Sequence, residues 1–189
     1  LLTATLSLFA SIGIEAAVSC RPDQKEHLQT KIPSCFPIIT DCGNSGAPLC
    51  GIATGLRALQ TPLFVLACDL PLLQPGLLLT LVKARNRALQ QTGQSERPLA
   101  ERRPSSLPEK KQLLRTAFIR TDGTIETLAA VYEPASLHFL EHAMRTGSLS
   151  LYRAIPPDSQ LLVPCPDDQA LLNMNTPADR KLALSLHAG

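Results

Sequence analysis

Along this chain, blocks spaced like helices alternate with short apolar runs suited to buried strands. Leu1 to Ile12 carries apolar residues at helical intervals, and after Gly13 the stretch 14–20 predicts a strand. A polar stretch leads to Pro37-Ile38-Ile39-Thr40-Asp41, a short strand that ends in an acid. Leu49 to Leu59 predicts a helix bearing Gly51 and Gly55, 63–68 a strand, and Pro75 to Gln91 a Leu-rich helix with proline in its first turn. Ala117 to Arg120, a turn at Asp122-Gly123, and Ile125 to Tyr132 predict a hairpin. A helix over 135–144 follows, ended by Gly147, with Ser148 placed to cap a short helix. A strand over 160–164 and a helix over 178–187, entered through Thr176-Pro177, complete the order. The alternation predicts an α/β fold with a mainly parallel sheet covered by helices.

Residues 92–114 break the rhythm. Pro98, Pro104 and Pro108 stand among Glu96, Arg97, Glu101, Arg102, Arg103, Glu109, Lys110 and Lys111. Prolines among mixed charges cannot pack a core, so this stretch reads as a charged surface insertion in one domain spanning 1–189.

Composition narrows the class. With 189 residues, 44% hydrophobic and 18% charged, the chain is long enough to bury a substantial core. There are five Phe, two Tyr and no Trp, so Leu, Ala, Ile and Val must build it. A formal net charge of +2 does not coat a phosphate backbone and argues against direct nucleic-acid binding. Leu1 to Ala10 lacks the basic flank of a signal peptide, and no apolar run reaches the length of a membrane span. Six scattered cysteines without a C-x-x-C pair read as small hydrophobes in a reducing cytoplasm. His138 and His142 lie one helical turn apart without an acid partner and read as helix-surface residues.

The most informative run is Val65-Leu66-Ala67-Cys68-Asp69-Leu70-Pro71. A carboxylate is costly to bury, so Asp69 belongs at the exposed carboxyl end of a buried strand, the edge where open α/β sheets bind ligands. An acid there can hold Mg²⁺, which keeps several waters and shares phosphate oxygens with one or two carboxylates. The same acid also suits a plain helix cap. Asp41 closes another strand and can accept hydrogen bonds from a base or start a turn. Ser19, on the first strand, is a polar contact or an ordinary strand-end serine. Asn173 and Asn175 would point the same way in an extended segment, or serve cap-and-turn chemistry. Gly51 and Gly55 permit close backbone approach or tight helix packing.

Several segments in order resemble the molybdenum cofactor guanylyltransferase family. Ala67-Cys68-Asp69-Leu70-Pro71 is similar to its metal-binding strand end, and Ala47-Pro48-Leu49-Cys50-Gly51-Ile52 to its "GPLAGI" segment, with Ala47 in place of Gly. Asn173-Met174-Asn175-Thr176-Pro177-Ala178-Asp179 resembles its "NVNTPED" ending. Leu128 to Pro134, Gly147 to Leu151 and Val18 to Gln24 match further segments, so the likeness covers nearly all but the insertion. The resemblance implies a Rossmann-like, GT-A-like three-layer nucleotidyltransferase that uses Mg²⁺ to pass GMP from GTP to molybdopterin, releasing pyrophosphate. It implies Asp69 as the metal ligand and a nucleotide contact, Ser19, Asp41 and Gly51 as nucleotide-binding residues, and Asn173 and Asn175 beside the reacting phosphate or pterin. It also implies transient contact with proteins that mature molybdoenzymes. Asp69, Asn173 and Asn175 are expected to face one crevice.

One family feature is missing. No segment like the glycine-rich "LAGGxSxRMGxDK" opening occurs between Leu1 and Gly189. The expectation is a domain without its first strand and phosphate loop, inactive and poorly soluble when expressed as these residues alone. Buried ladder groups left unpaired cost on the order of 1–3 kcal/mol each, against a total stability of roughly 5–15 kcal/mol. Two alternatives remain: a cytidylyl- or sugar-phosphate nucleotidyltransferase, separable by nucleotide titration, and a non-catalytic binding module that uses the insertion. Polar residues kept at strand ends argue against the module.

Overall fold

The computed structural model describes residues 1–42, 46–92 and 112–174. The elements are α1 (Leu2–Ser11), β1 (Val18–Cys20), α2 (Lys25–Gln29), β2 (Ile38–Thr40), α3 (Pro48–Leu59), β3 (Leu63–Leu66) and α4 (Pro75–Thr92). They continue with β4 (Arg115–Ile119), β5 (Ile125–Tyr132), α5 (Leu137–Arg145), α6 (Leu151–Ala154) and β6 (Gln160–Pro164). The 92–114 insertion and the helix expected over 178–187 fall largely or wholly outside the described residues.

Local chemistry explains most of the boundaries. Pro48 and Pro75 open α3 and α4, where a missing N–H costs no helical bond. Gly147 follows α5 with φ +74°, a backbone shape that glycine adopts without strain. The short α6 is capped by Ser150, whose side chain accepts from the Arg153 N–H, rather than by the expected Ser148. A cap must lie directly before the first helical residue, and Leu151 begins this helix later than the pattern suggested. The polar stretch after β1 folds into α2, which has no buried residue and hence no apolar stripe to announce it.

The strands pair in two groups. β1 and β2 are parallel; β3, β5, β4 and β6 form a second sheet in that order. Within it β4 runs parallel to β6, while β5 is antiparallel to both β3 and β4, as the hairpin reading requires. The expectation from sequence was a sheet without its first strand and with ladder groups left unpaired. Among the described residues β1 and β3 are each paired on one side, and both line one cavity.

Helices cover both faces of the four-stranded sheet. On one side Leu77, Leu78 and Leu81 of α4 and Phe9 of α1 pack with Phe118, Ala129 and Val131. On the other, Leu49, Ile52 and Leu56 of α3 and Leu140 of α5 pack with Ala117, Ala130 and Tyr132. Neighbours along β5 thus point into opposite cores, as a period of two demands. This is the three-layer α/β arrangement, and it sets the carboxyl ends of β1, β2 and β3 around α3.

Candidate active site

The parallel pairing sets Ser19 beside Ile39 and Cys20 beside Thr40. The ladder then extends by one bond, from the Asp41 N–H to the Cys20 carbonyl at 2.8 Å. Asp41 is thereby held at the strand end, and the Ser19 hydroxyl donates to its Oδ1. Period two places Ser19 toward α3, while Val18 on the opposite face packs with Leu6 and Ile32. The helix meets this pair at Gly51. A Cβ there would stand 2.7 Å from Ser19 Oγ, closer than side chains approach, and a tight 3.1 Å from Asp41 Oδ1, so the pair would have to shift to admit one. Three residues singled out from sequence therefore form one contact, and all three line a cavity of about 710 Å³.

Thr54, one turn further along α3, ties the loop after Asp41 to the helix. Its hydroxyl oxygen accepts from the Cys42 N–H at 3.0 Å. Sequence reasoning passed over this residue, because a threonine inside an apolar helix carries no signal of a partner twelve positions away. The same hydroxyl lies 3.0 Å from Cys42 Sγ and 2.8 Å from the Cys50 carbonyl, and its single proton serves one or the other. Arg57 Nη1 stands 3.7 Å from the same sulfur while Nη2 pairs with Glu141 at 2.7 Å.

These donors hold the Cys42 thiol below its ordinary range; the Thr54 hydroxyl contributes most, with Arg57 adding to it against the opposing effect of burial. A lowered thiol titration means more thiolate near neutrality, and the stabilisation it brings is present above the unfolded thiol's pKa and lost as pH falls through the folded one. Iodoacetamide at pH 7.5 is expected to label Cys42 faster than the exposed Cys35, and Thr54→Val should bring the two rates together. Equal rates in the unaltered protein, read by peptide mass spectrometry, would refute this.

Asp69 sits in the turn after β3. Its backbone carbonyl accepts from the Met174 N–H at 2.8 Å, which brings Asn173 alongside. Asn173 is exposed, and Asn175 lies outside the described residues. Asp69 itself does not line the cavity of Ser19, Asp41 and Gly51. Asp69 and Asn173 come together through the backbone, while the cavity shared by Ser19, Asp41 and Gly51 is lined by Cys68, next to Asp69 in sequence.

Asp69 Oδ1 is buried with no hydrogen-bond partner among the described residues. A buried carboxylate oxygen without a donor is costly, and a hard cation satisfies it. No three His, Cys, Asp or Glu side chains among the described residues cluster closely enough to hold a metal ion by themselves. The donor set therefore fits a cation that takes one carboxylate from the protein and its remaining oxygens from water and substrate phosphates. His138 and His142 are exposed on α5, as expected. No helix among the described residues is long and apolar enough to cross a membrane.

A strand-end acid whose Oδ1 lacks a partner among the described residues, a glycine pressed against a Ser–Asp pair, and helices on both faces describe an α/β domain with polar groups at its strand ends. Residues 1–133 match the MobA-like NTP transferase domain, and the chain belongs to that family. No curated protein matches the sequence. The fold is similar to that of molybdopterin-guanine dinucleotide biosynthesis protein A from Archaeoglobus fulgidus. The TM-score is 0.71 at 21% identity, over 97% of this chain and 83% of the other. A protein from Aquifex aeolicus is similar with a TM-score of 0.58 at 20% identity, over 85% of this chain and 70% of that one. The family makes the domain a nucleotidyltransferase, and the fold is that of the Archaeoglobus protein.

Proposed function

We propose that this protein transfers GMP from GTP to the phosphate of molybdopterin, with release of pyrophosphate. The observation that carries the reading is the Ser19–Asp41–Gly51 contact on the cavity wall. The Ser19 hydroxyl occupies one lone pair of Asp41 and orients its carboxylate, which keeps further acceptor sites. A group that only accepts suits the adjacent N–H donors on the edge of guanine, whereas cytosine offers an acceptor at the corresponding place. Gly51 lets α3 approach that pair without a side chain between them.

Asp69 is the residue to hold Mg²⁺, through the oxygen that lacks a protein donor among the described residues. Bound there, the ion would offset charge on the phosphate oxygens during in-line transfer. Asn173, exposed beside Asp69, and Asn175 supply amide donors and acceptors for the transferred phosphate or the pterin. The Archaeoglobus relative, whose name carries molybdopterin-guanine dinucleotide biosynthesis, supports the choice of substrates. Cytoplasmic location and contact with molybdoenzyme-maturation proteins follow from this reading.

The test is a transfer assay on the protein as its gene encodes it, given molybdopterin, Mg²⁺ and either GTP or CTP, with the dinucleotide product identified by mass. The guanine dinucleotide is expected. Formation of the cytosine product alone, or transfer to a sugar phosphate but never to molybdopterin, overturns the reading.

A further inference from the structure

From Pro48 to Leu56 the α3 sequence is apolar, cysteine or glycine at every position except Thr54, which is half-buried between the buried Ala53 and Gly55. Threonine is a poorer helix former than alanine, and packing alone has no use for its hydroxyl. The hydroxyl serves the strand end instead. Asp41 donates its own N–H to the Cys20 carbonyl at 2.8 Å, and the next N–H, that of Cys42, goes to Thr54 Oγ1 at 3.0 Å. The Thr54 proton has the Cys50 carbonyl at 2.8 Å as an acceptor, which leaves the oxygen's lone pairs to the Cys42 N–H. The rigid peptide planes on both sides of the Asp41 Cα are thus held, one by β1 and one by α3. Two fixed planes fix φ and ψ, and with them the direction of the Cα–Cβ bond. The Ser19 hydroxyl on Oδ1 then sets the turn of the carboxylate.

We propose that Thr54 is a positioning residue for the nucleotide: it acts by holding the Asp41 carboxylate in the pose that binds the base. The inference deepens the proposed reading of Asp41 and rests on it. Asp41 lines the cavity whereas Thr54 and Cys42 do not, so the hydroxyl reaches a ligand only through Asp41. The bond to Cys20 uses backbone on both sides and survives substitution, while the bond on the other side depends on one side chain. Without that hydroxyl the half-buried Cys42 N–H must turn toward water, which rotates the plane after Asp41 and changes its ψ. The Ser19 contact remains, so the carboxylate keeps an anchor and loses its fixed angle. A group free to swing must be ordered when the ligand arrives, which weakens binding and leaves the chemical step at Asp69 untouched. The coupling is reciprocal: whatever factor the Thr54 bond adds to nucleotide affinity, bound nucleotide adds to the stability of that bond.

The test compares the protein as its gene encodes it with Thr54→Val, which keeps the shape of the side chain without the acceptor, and Thr54→Ser, which keeps the acceptor. KM for GTP is expected to rise about tenfold in Thr54→Val, the scale of one hydrogen bond, with kcat within about twofold. Thr54→Ser should hold KM within about twofold of the unaltered protein. In an Asp41→Ala background Thr54→Val should add less than about twofold, because no carboxylate is left to place. In the unaltered protein saturating GTP should slow amide exchange at Cys42 by about tenfold, beyond any slowing on α5, a readout that needs no variant to fold. An unchanged KM in Thr54→Val, a Thr54→Ser variant as impaired as Thr54→Val, a full effect without Asp41, or an unprotected Cys42 amide overturns the proposal. CTP run beside GTP separates the two claims. Turnover with CTP alone overturns the guanylyl reading, and Thr54 is then judged by the same ratios for CTP; turnover with neither nucleotide overturns both.

Discussion

Replacing Glu133 with alanine is expected to destabilise the protein by about 3–5 kcal/mol. Glu133 follows β5 and is only 8% exposed. Its carboxylate receives both Arg85 Nε and Nη2, the latter at 2.8 Å, so the guanidinium of α4 is gripped at two points. The two side chains are 12% and 10% exposed, and each neutralises the other's cost of leaving water. Alanine strips the carboxylate away and strands a cation beneath α4. The loss would consume much of a total near 5–15 kcal/mol. Replacing both residues by leucine should restore stability to within about 1 kcal/mol or exceed it, because matched apolar groups need no partner. Urea midpoints with unchanged slope would read both effects. A Glu133→Ala cost under about 1 kcal/mol would mean that Arg85 swings out to water instead.

The second large effect concerns chemistry. Asp69→Asn keeps the size of the side chain and removes its charge, so the fold should survive with its Met174 backbone bond intact. The proposed guanylyl transfer, assayed on the protein as its gene encodes it, is expected to fall by about 10³-fold. A metal's offset of phosphate charge is worth several kcal/mol, and each 1.4 kcal/mol is a factor of ten. Raising Mg²⁺ should recover part of the loss if the carboxylate only binds the ion. Unchanged transfer with a normal thermal midpoint would remove Asp69 from the metal site and leave its orphaned oxygen without a role.

Much of the architecture was legible along the chain because it depends on local spacing. The prolines that open α3 and α4, the turn at Asp122-Gly123 and the glycine after α5 are each decided by backbone geometry within a few residues. The order of helices and strands, and with it the layered α/β class, follows from periods of 3.6 and 2. Asp41 and Asp69 were readable as strand-end acids because burial excludes a carboxylate from the apolar run that leads up to it. By contrast α2, without a buried residue, left no pattern to find.

What depended on distant partners could not be read that way. The contact of Ser19 with Asp41 spans 22 positions, and that of Arg85 with Glu133 spans 48; neither pair has a sequence spacing that implies the other. Thr54 at Cys42 is the same case in miniature. Which strands pair with which was likewise decided in three dimensions, because a strand's local pattern states that it wants neighbours and never which edge will find one. By itself, then, the sequence determined the elements, their order and the acids at their ends, all products of short-range sterics and burial. Only the tertiary structure decided which of those acids lines the cavity and which strands pair, since both rest on packing between segments that the chain holds far apart.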